Sequence, residues 1–157
     1  MMLAADRENP APDILIADPP GHEGWFEWRT GAPSGFNQSV LGFMLVKPDE
    51  KPGFARVRLF PQPHQMNVNG VIHGGATLGF IDASLFGAST ILSGSNQLPG
   101  STVELSTQFI TPGAGDKPLD SLVEILRETK RMLFLQGKVV QEDVVVAAFS
   151  GIVRKVT

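Results

Sequence analysis

Three groups in one stretch of this 157-residue chain are of types that can do chemistry together. They are Asn67, the run His73-Gly74-Gly75, and Asp82. Asp82 is the one ionisable residue between Gly74 and Ser93, in an otherwise greasy segment. A carboxylate in such surroundings needs a partner or a purpose. Gly74 and Gly75 let a ligand approach the backbone closely. If a helix starts there, their N–H groups lack intrahelical partners and carry the positive end of the helix dipole. Such a place suits an anion, or a carbonyl oxygen gaining negative charge. Asn67 adds a side-chain donor from the same loop. Asp82 would thus pair a base or nucleophile with an oxyanion site. His73 either orients the loop and Asn67 or touches a substrate, and a helix start disfavours the imidazolium, so its expected role is a neutral one. The same residues also read structurally: a Gly-rich turn feeding a helix, Asn67 satisfying loop backbone, and Asp82 hydrogen-bonded in a core.

The elements that must position these groups come next. Apolar residues at 76, 78, 80, 81, 83, 85, 86, 88, 91 and 92 cover every face of a 3.6-residue repeat. That predicts a helix over about 74–92, buried on all sides. Its length approaches the roughly 20 residues of a membrane span. Against a span stand Asp82 at its middle, the lack of flanking basic residues and interfacial aromatics, and the strand-like segments that follow. The expectation is a central helix wrapped by a sheet, with no membrane partner.

Upstream, residues 1–35 are punctuated by Pro10, Pro12, Pro19, Pro20 and Pro33. They read as an irregular extension, frayed at its start, in which Trp25, Phe26 and Trp28 form a short strand or a hydrophobic latch. Residues 36–157 read as a single domain. Phe36 to Gly42 suggests a helical turn, Phe43–Lys47 a short apolar run, and Pro48–Gly53 a turn. Phe54–Phe60 alternates, with Ala55, Val57 and Leu59 on one face and Arg56 and Arg58 on the other. Downstream, residues 93–100 read as a loop and 102–110 as a strand with Val103, Leu105, Thr107 and Phe109 on one face. Residues 112–118 form another loop and 119–127 a strand, followed by a turn at 128–131. Strands at 133–141 and 144–153 are joined by Glu142-Asp143 as a tight hairpin. Two strands, one helix and four strands with short links make an antiparallel sheet. An apolar helix inside it wants further cover, most simply a second copy of the chain.

Composition excludes several classes. Net charge is −3 with no basic cluster, so nucleic acid is not an expected partner. Cysteine is absent, which removes disulfides and thiolate chemistry and fits a cytoplasmic location. The N-terminus lacks a basic region followed by an apolar run, so no signal peptide is read. There is no Gly-x-Ser-x-Gly, no phosphate loop and no dinucleotide fingerprint. His22, His64 and His73 lack metal-motif spacing, so no metal site is expected.

The combined pattern Asn67-x5-His73-Gly74-Gly75-x6-Asp82, followed by Ser101-Thr-Val-Glu-Leu-Ser-Thr-Gln-Phe-Ile-Thr-Pro112, resembles the hotdog-fold acyl-CoA thioesterases of the phenylacetic-acid-degradation (PaaI-like) type. The resemblance covers about residues 36–157. It implies an α+β hotdog fold, a curled antiparallel sheet of about six strands round the central helix. It implies hydrolysis of an acyl-CoA with no cofactor. In that family the aspartate is general base or nucleophile, which falls on Asp82. The oxyanion N–H falls on Gly74, the helping asparagine on Asn67, and the water-holding hydroxyl on Thr102, with Ser101 beside it. Gly75, Ser101, Phe86 and Arg131 are candidates for substrate binding. Arg131, with Arg127, Lys130 and Lys138, is a candidate for the coenzyme A phosphates, or part of a solvated turn and strand face. Phe80 and Phe86 line a pocket or belong to the core. The resemblance also implies a homodimer or dimer of dimers (a homotetramer) with shared active sites. A non-catalytic acyl-CoA or small-ligand binding module is the alternative. A hotdog dehydratase or hydratase would want a catalytic His with an acid on the central helix, in a motif this chain lacks.

Overall fold

The computed structural model describes residues 14–93 and 100–156. Its strands are β1 (Ile14–Ala17), β2 (Phe26–Arg29), β3 (Met44–Pro48), β4 (Phe54–Leu59), β5 (Gly100–Phe109), β6 (Leu119–Glu128), β7 (Met132–Gln141) and β8 (Val144–Lys155). One long helix, α1 (Gly74–Leu92), lies between β4 and β5 in the chain. The strands form a single antiparallel sheet in the order β1-β2-β3-β4-β6-β7-β8-β5. The sheet curls round α1, which packs on β3, β4 and β6 and more lightly on β5 and β8. A central helix wrapped by an antiparallel sheet is what the hydrophobic patterning predicts, and the hotdog architecture is what the family resemblance implies.

Alternation explains the core. Ala55, Val57 and Leu59 of β4 are fully buried, and meet Phe80, Ile81, Leu85 and Ala88 of α1. Leu119, Val123, Leu133, Leu135 and Val139 complete the same cluster from β6 and β7. By length and composition α1 would pass for a membrane span, but about half of it is buried inside this fold as its core helix. One stripe of α1 stays uncovered. Gly75 and Leu78 are exposed, and Asp82 and Phe86 are only half-buried. Burial on all sides is therefore not what a single chain achieves: the sheet covers the helix from one side, and its two ends leave this stripe open.

Eight strands form where about six were expected, because the N-terminal extension supplies a hairpin. Pro19-Pro20 and two glycines in the left-handed region, Gly21 and Gly24, turn the chain between β1 and β2. Asp18 pins the turn by accepting a 2.7 Å hydrogen bond from the Gly24 N–H. The short strand read as one alternative for Trp25, Phe26 and Trp28 is β2, whereas the four residues of β1 carry too little alternation to be read in advance. The aromatics here divide between two faces. Trp28 is buried inside against α1, where a Cβ on Gly87 would lie 2.9 Å from its ring. Trp25 lies outside, between Lys47 and Arg58, at 4.6 and 4.7 Å from its ring centre. Beneath it Arg56 and Arg58 both bind Asp120. Asp49 joins through Arg56; burial alone would raise its carboxyl, but the Arg56 guanidinium and the Lys51 N–H hold it below the usual carboxylate range.

At the other edge, β5 carries a bulge. Thr102 pairs with Val153 and Glu104 with Ile152, which leaves Val103 as the extra residue. Strict alternation would put Val103 with Leu105, Thr107 and Phe109. Instead Val103 is 58% exposed, and Thr102 shares the helix-facing side with the half-buried Leu105 and Thr107. The hairpin at Glu142-Asp143 joins β7 to β8 as expected. Of the loop read at 93–100, residues 94–99 lie outside the described residues, as does the start of the N-terminal extension, 1–13.

Candidate active site

The loop before α1 is built by its own sequence. Gly70, with φ 72°, closes a turn in which its N–H donates to the Asn67 carbonyl at 3.0 Å. The Asn67 side-chain oxygen accepts from the Asn69 N–H at 2.8 Å and the Val71 N–H at 3.3 Å. Bridges from Met66 to Ile72 and from Val71 to Ala114 seat the loop on the fold. Gln65, itself buried, accepts the His73 N–H on its carbonyl and donates its side-chain amide to Val40 and Leu41 carbonyls. Asn67 thus satisfies loop backbone with its oxygen, while its amide nitrogen makes no hydrogen bond among the described residues.

His73 caps α1. Its Nδ1 accepts the Gly75 N–H at 2.8 Å. An imidazole nitrogen that accepts carries no proton, so the ring has a structural hydrogen bond that only its neutral form can make. The His73 carbonyl takes the N–H groups of Ala76 and Thr77. Of the four N–H groups that open the helix, three are thereby used. The Gly74 N–H has no acceptor among the described residues. Gly74 lines a cleft of about 360 Å³ together with Asn67, Thr77, Phe109, Ile110 and Val146 among others. The Phe109 ring lies 3.7 Å from where a Gly74 Cβ would be, an ordinary van der Waals contact. No carboxylate lines this cleft.

The acid is elsewhere. Asp82 follows Gly74 by eight residues, which is about 12 Å along the helix axis. Its Oδ1 accepts a 2.6 Å hydrogen bond from the Thr102 hydroxyl, and no ion pair involves it among the described residues. Ser101 is exposed and does not meet Asp82. Phe86 is half-buried, packed on the core and close to Gly100. Arg131 is exposed in the β6–β7 turn; by register, Met132 aligns with Arg154 and Arg154 with Ser101, so Arg131 sits at the Thr102 end of β5. It does not line the cleft, and neither do the exposed Arg127, Lys130 and Lys138. Asn67 and Gly74 are therefore brought together, as are Asp82 and Thr102, but the two pairs are apart within one chain. Two aromatic rings at these places went unassigned in the sequence. Phe109 lies against Gly74, and Phe36 against Gly79. Alternation placed Phe109 on one face of its strand with Leu105 and Thr107, while nothing in the sequence marked Phe36. Among the described residues no cluster of His, Cys, Asp or Glu has the makings of a metal site.

A curled antiparallel sheet round one long central helix defines the hotdog class. Within it the chain belongs to a thioesterase family: the model of the acyl-CoA thioesterase N-terminal domain matches residues 62–153. That span runs from the loop before α1 to the last strand. No curated protein matches the sequence. Among solved structures, a conserved protein from Pseudomonas aeruginosa is 25% identical with a TM-score of 0.64, over 78% of this chain and 94% of that one. The PaaI protein of the E. coli phenylacetic acid degradation operon shares the fold at 19% identity and TM-score 0.64, over 79% and 86%. So does thioesterase superfamily member 2 from Mus musculus, at 17% identity and TM-score 0.63, over 78% and 90%.

Proposed function

We propose that this protein hydrolyses an acyl-CoA thioester at composite sites built by two copies of the chain. The observation that carries the reading is the separation of two incomplete half-sites on one helix. One half offers a free Gly74 N–H on a mostly apolar cleft without an acid. The other offers an acid, Asp82, hydrogen-bonded to Thr102 on the open stripe of α1. A nucleophile and an oxyanion donor must both lie about 3 Å from the reacting group. One straight helix cannot supply both across about 12 Å. A second copy running antiparallel along the open stripe brings Asp82 of one chain to the partner's Gly74. A two-fold dimer then has two equal sites. The exposed edge of β5 is free to pair in such a dimer.

The thioester carbonyl oxygen accepts the partner's Gly74 N–H, at the positive end of its helix. The Thr102 oxygen holds a water, and Asp82 takes its proton as the water attacks the carbonyl carbon. Collapse of the tetrahedral intermediate breaks the C–S bond, and the departing thiolate takes up the proton. In the other route Asp82 attacks the carbonyl carbon directly and the C–S bond breaks to expel the thiolate; water then hydrolyses the resulting anhydride, freeing the acid and Asp82 and supplying the thiolate's proton. Both routes need the same residues and neither requires a metal. The Asn67 amide nitrogen is the group in the cleft suited to hold the substrate or the attacking water.

Asp82→Asn tests the reading. The amide is nearly isosteric and cannot take the proton. With a panel of acyl-CoAs, free-thiol release should fall by a factor of about 100 or more with thermal stability kept. Turnover retained within about threefold would remove Asp82 from the mechanism. Substrate binding without turnover in the unmodified protein would make it a binding module instead.

A further inference from the structure

Phe36 is 59% exposed, an unusual place for a phenylalanine with a fixed position. Its ring lies across Gly79: a Cβ built there would be 3.3 Å from ring atoms Cε1 and Cζ. The π-helical turn that follows, Asn37–Leu41, is anchored at both ends. The Asn37 amide donates to the Thr30 hydroxyl at 2.8 Å, and Gln65 donates to the Val40 and Leu41 carbonyls. The ring is thus held in place while half its surface faces outward.

Its position relative to Asp82 follows from the helix. At about 100° per residue, Gly75, Gly79, Asp82 and Phe86 fall within about 60° of one another, on the open stripe. Gly79 precedes Asp82 by three residues, about 4.5 Å along the axis. Phe36 leads into β3, whereas Thr102 stands on β5, and these strands lie toward opposite ends of the sheet order. Thr102 therefore stands on one side of Asp82 along this stripe and the Phe36 ring on the other. Gly79 puts no side chain between that ring and the helix.

Resting on the thioesterase reading, we propose that Phe36 is a specificity-determining residue and that the substrate carries an extended apolar acyl group, which lies along the Phe36 ring. A carbonyl held at Asp82 puts a two-carbon acyl group short of the ring, while an eight-carbon chain covers it. Burying chain carbons on the ring favours the longer substrate.

The test is the ratio of kcat/KM for octanoyl-CoA to that for acetyl-CoA, which cancels any uniform loss of folded protein. Phe36→Ala should lower this ratio about tenfold or more, and Phe36→Leu should restore most of it. A second readout needs no hydrolysis: the affinity of Asp82→Asn protein for the thioether S-octyl-CoA relative to free coenzyme A. Adding Phe36→Ala should lower that preference by a similar factor. A ratio unchanged by Phe36→Ala, with Asp82-dependent turnover intact, overturns this inference and leaves the hydrolase reading standing. Absence of turnover in the unmodified protein, with an octyl preference that Phe36→Ala removes, overturns the hydrolase reading and upholds this inference.

Discussion

Thr102 donates its hydroxyl proton to Asp82 at 2.6 Å, while Ser101, one residue earlier, faces solvent. Both carry the same functional group, so the difference lies in direction and not in chemistry. The bond fixes the carboxylate and leaves the Thr102 oxygen as an acceptor for a water. Losing it should disturb the positioned water more than ground-state binding. Thr102→Ala should therefore lower kcat at least about tenfold with a smaller change in KM, while Ser101→Ala should stay within about twofold. Steady-state kinetics on one acyl-CoA check this. The opposite pattern would exchange the two residues' roles.

At the scale of the element, α1 contains two glycines whose neighbours differ in freedom. A Cβ on Gly87 would meet the Trp28 ring at 2.9 Å, and Trp28 is buried to 1% exposure. That ring has no room to retreat, because β2 holds it against the helix. A Cβ on Gly79 would meet Phe36 at 3.3 Å, and that ring is open on its outer side. Alanine gains about 1 kcal/mol over glycine from helix propensity at either position. Overpacking against a fixed ring costs about 1–3 kcal/mol. Gly87→Ala should thus lower the stability measured by denaturant unfolding, by up to about 2 kcal/mol. Gly79→Ala should be neutral or raise it by up to about 1 kcal/mol. Equal effects would mean that Trp28 does not hold the N-terminal hairpin on the helix as the packing indicates.

At the scale of the molecule, the two half-sites give a stoichiometric prediction. Asn67→Ala and Asp82→Asn should each leave little activity. Unfolded and refolded together, random pairing makes about half the dimers mixed, and in each of those one site holds both lesions and the other neither. Roughly a quarter of the unmodified activity should return. If mass measurement shows re-paired chains and no activity returns, the sites are not shared between copies.

How much of this was legible in advance depends on the range of the interactions involved. The helix at 74–92, the alternating strands and the Glu142-Asp143 hairpin are local: each follows from periodicity or turn chemistry within a window of the chain. The candidate residues at Asn67, Gly74 and Asp82 were likewise readable, because they crowd into sixteen residues round one helix start. The tertiary structure decided what the window cannot contain. Alternation alone would set Thr102 opposite to Leu105; the bulge at Val103, imposed by pairing of β5 with β8, turns Thr102 towards Asp82. The short hairpin of the N-terminal extension holds because Trp28 finds Gly87, nearly sixty residues away. The open stripe of α1 exists because a single sheet curls only part of the way round its helix, leaving Phe36 and Thr102 on its two sides. The sequence by itself marked the helix, the longer alternating strands and the candidate residues. Long-range pairing and packing decided which of those residues face one another.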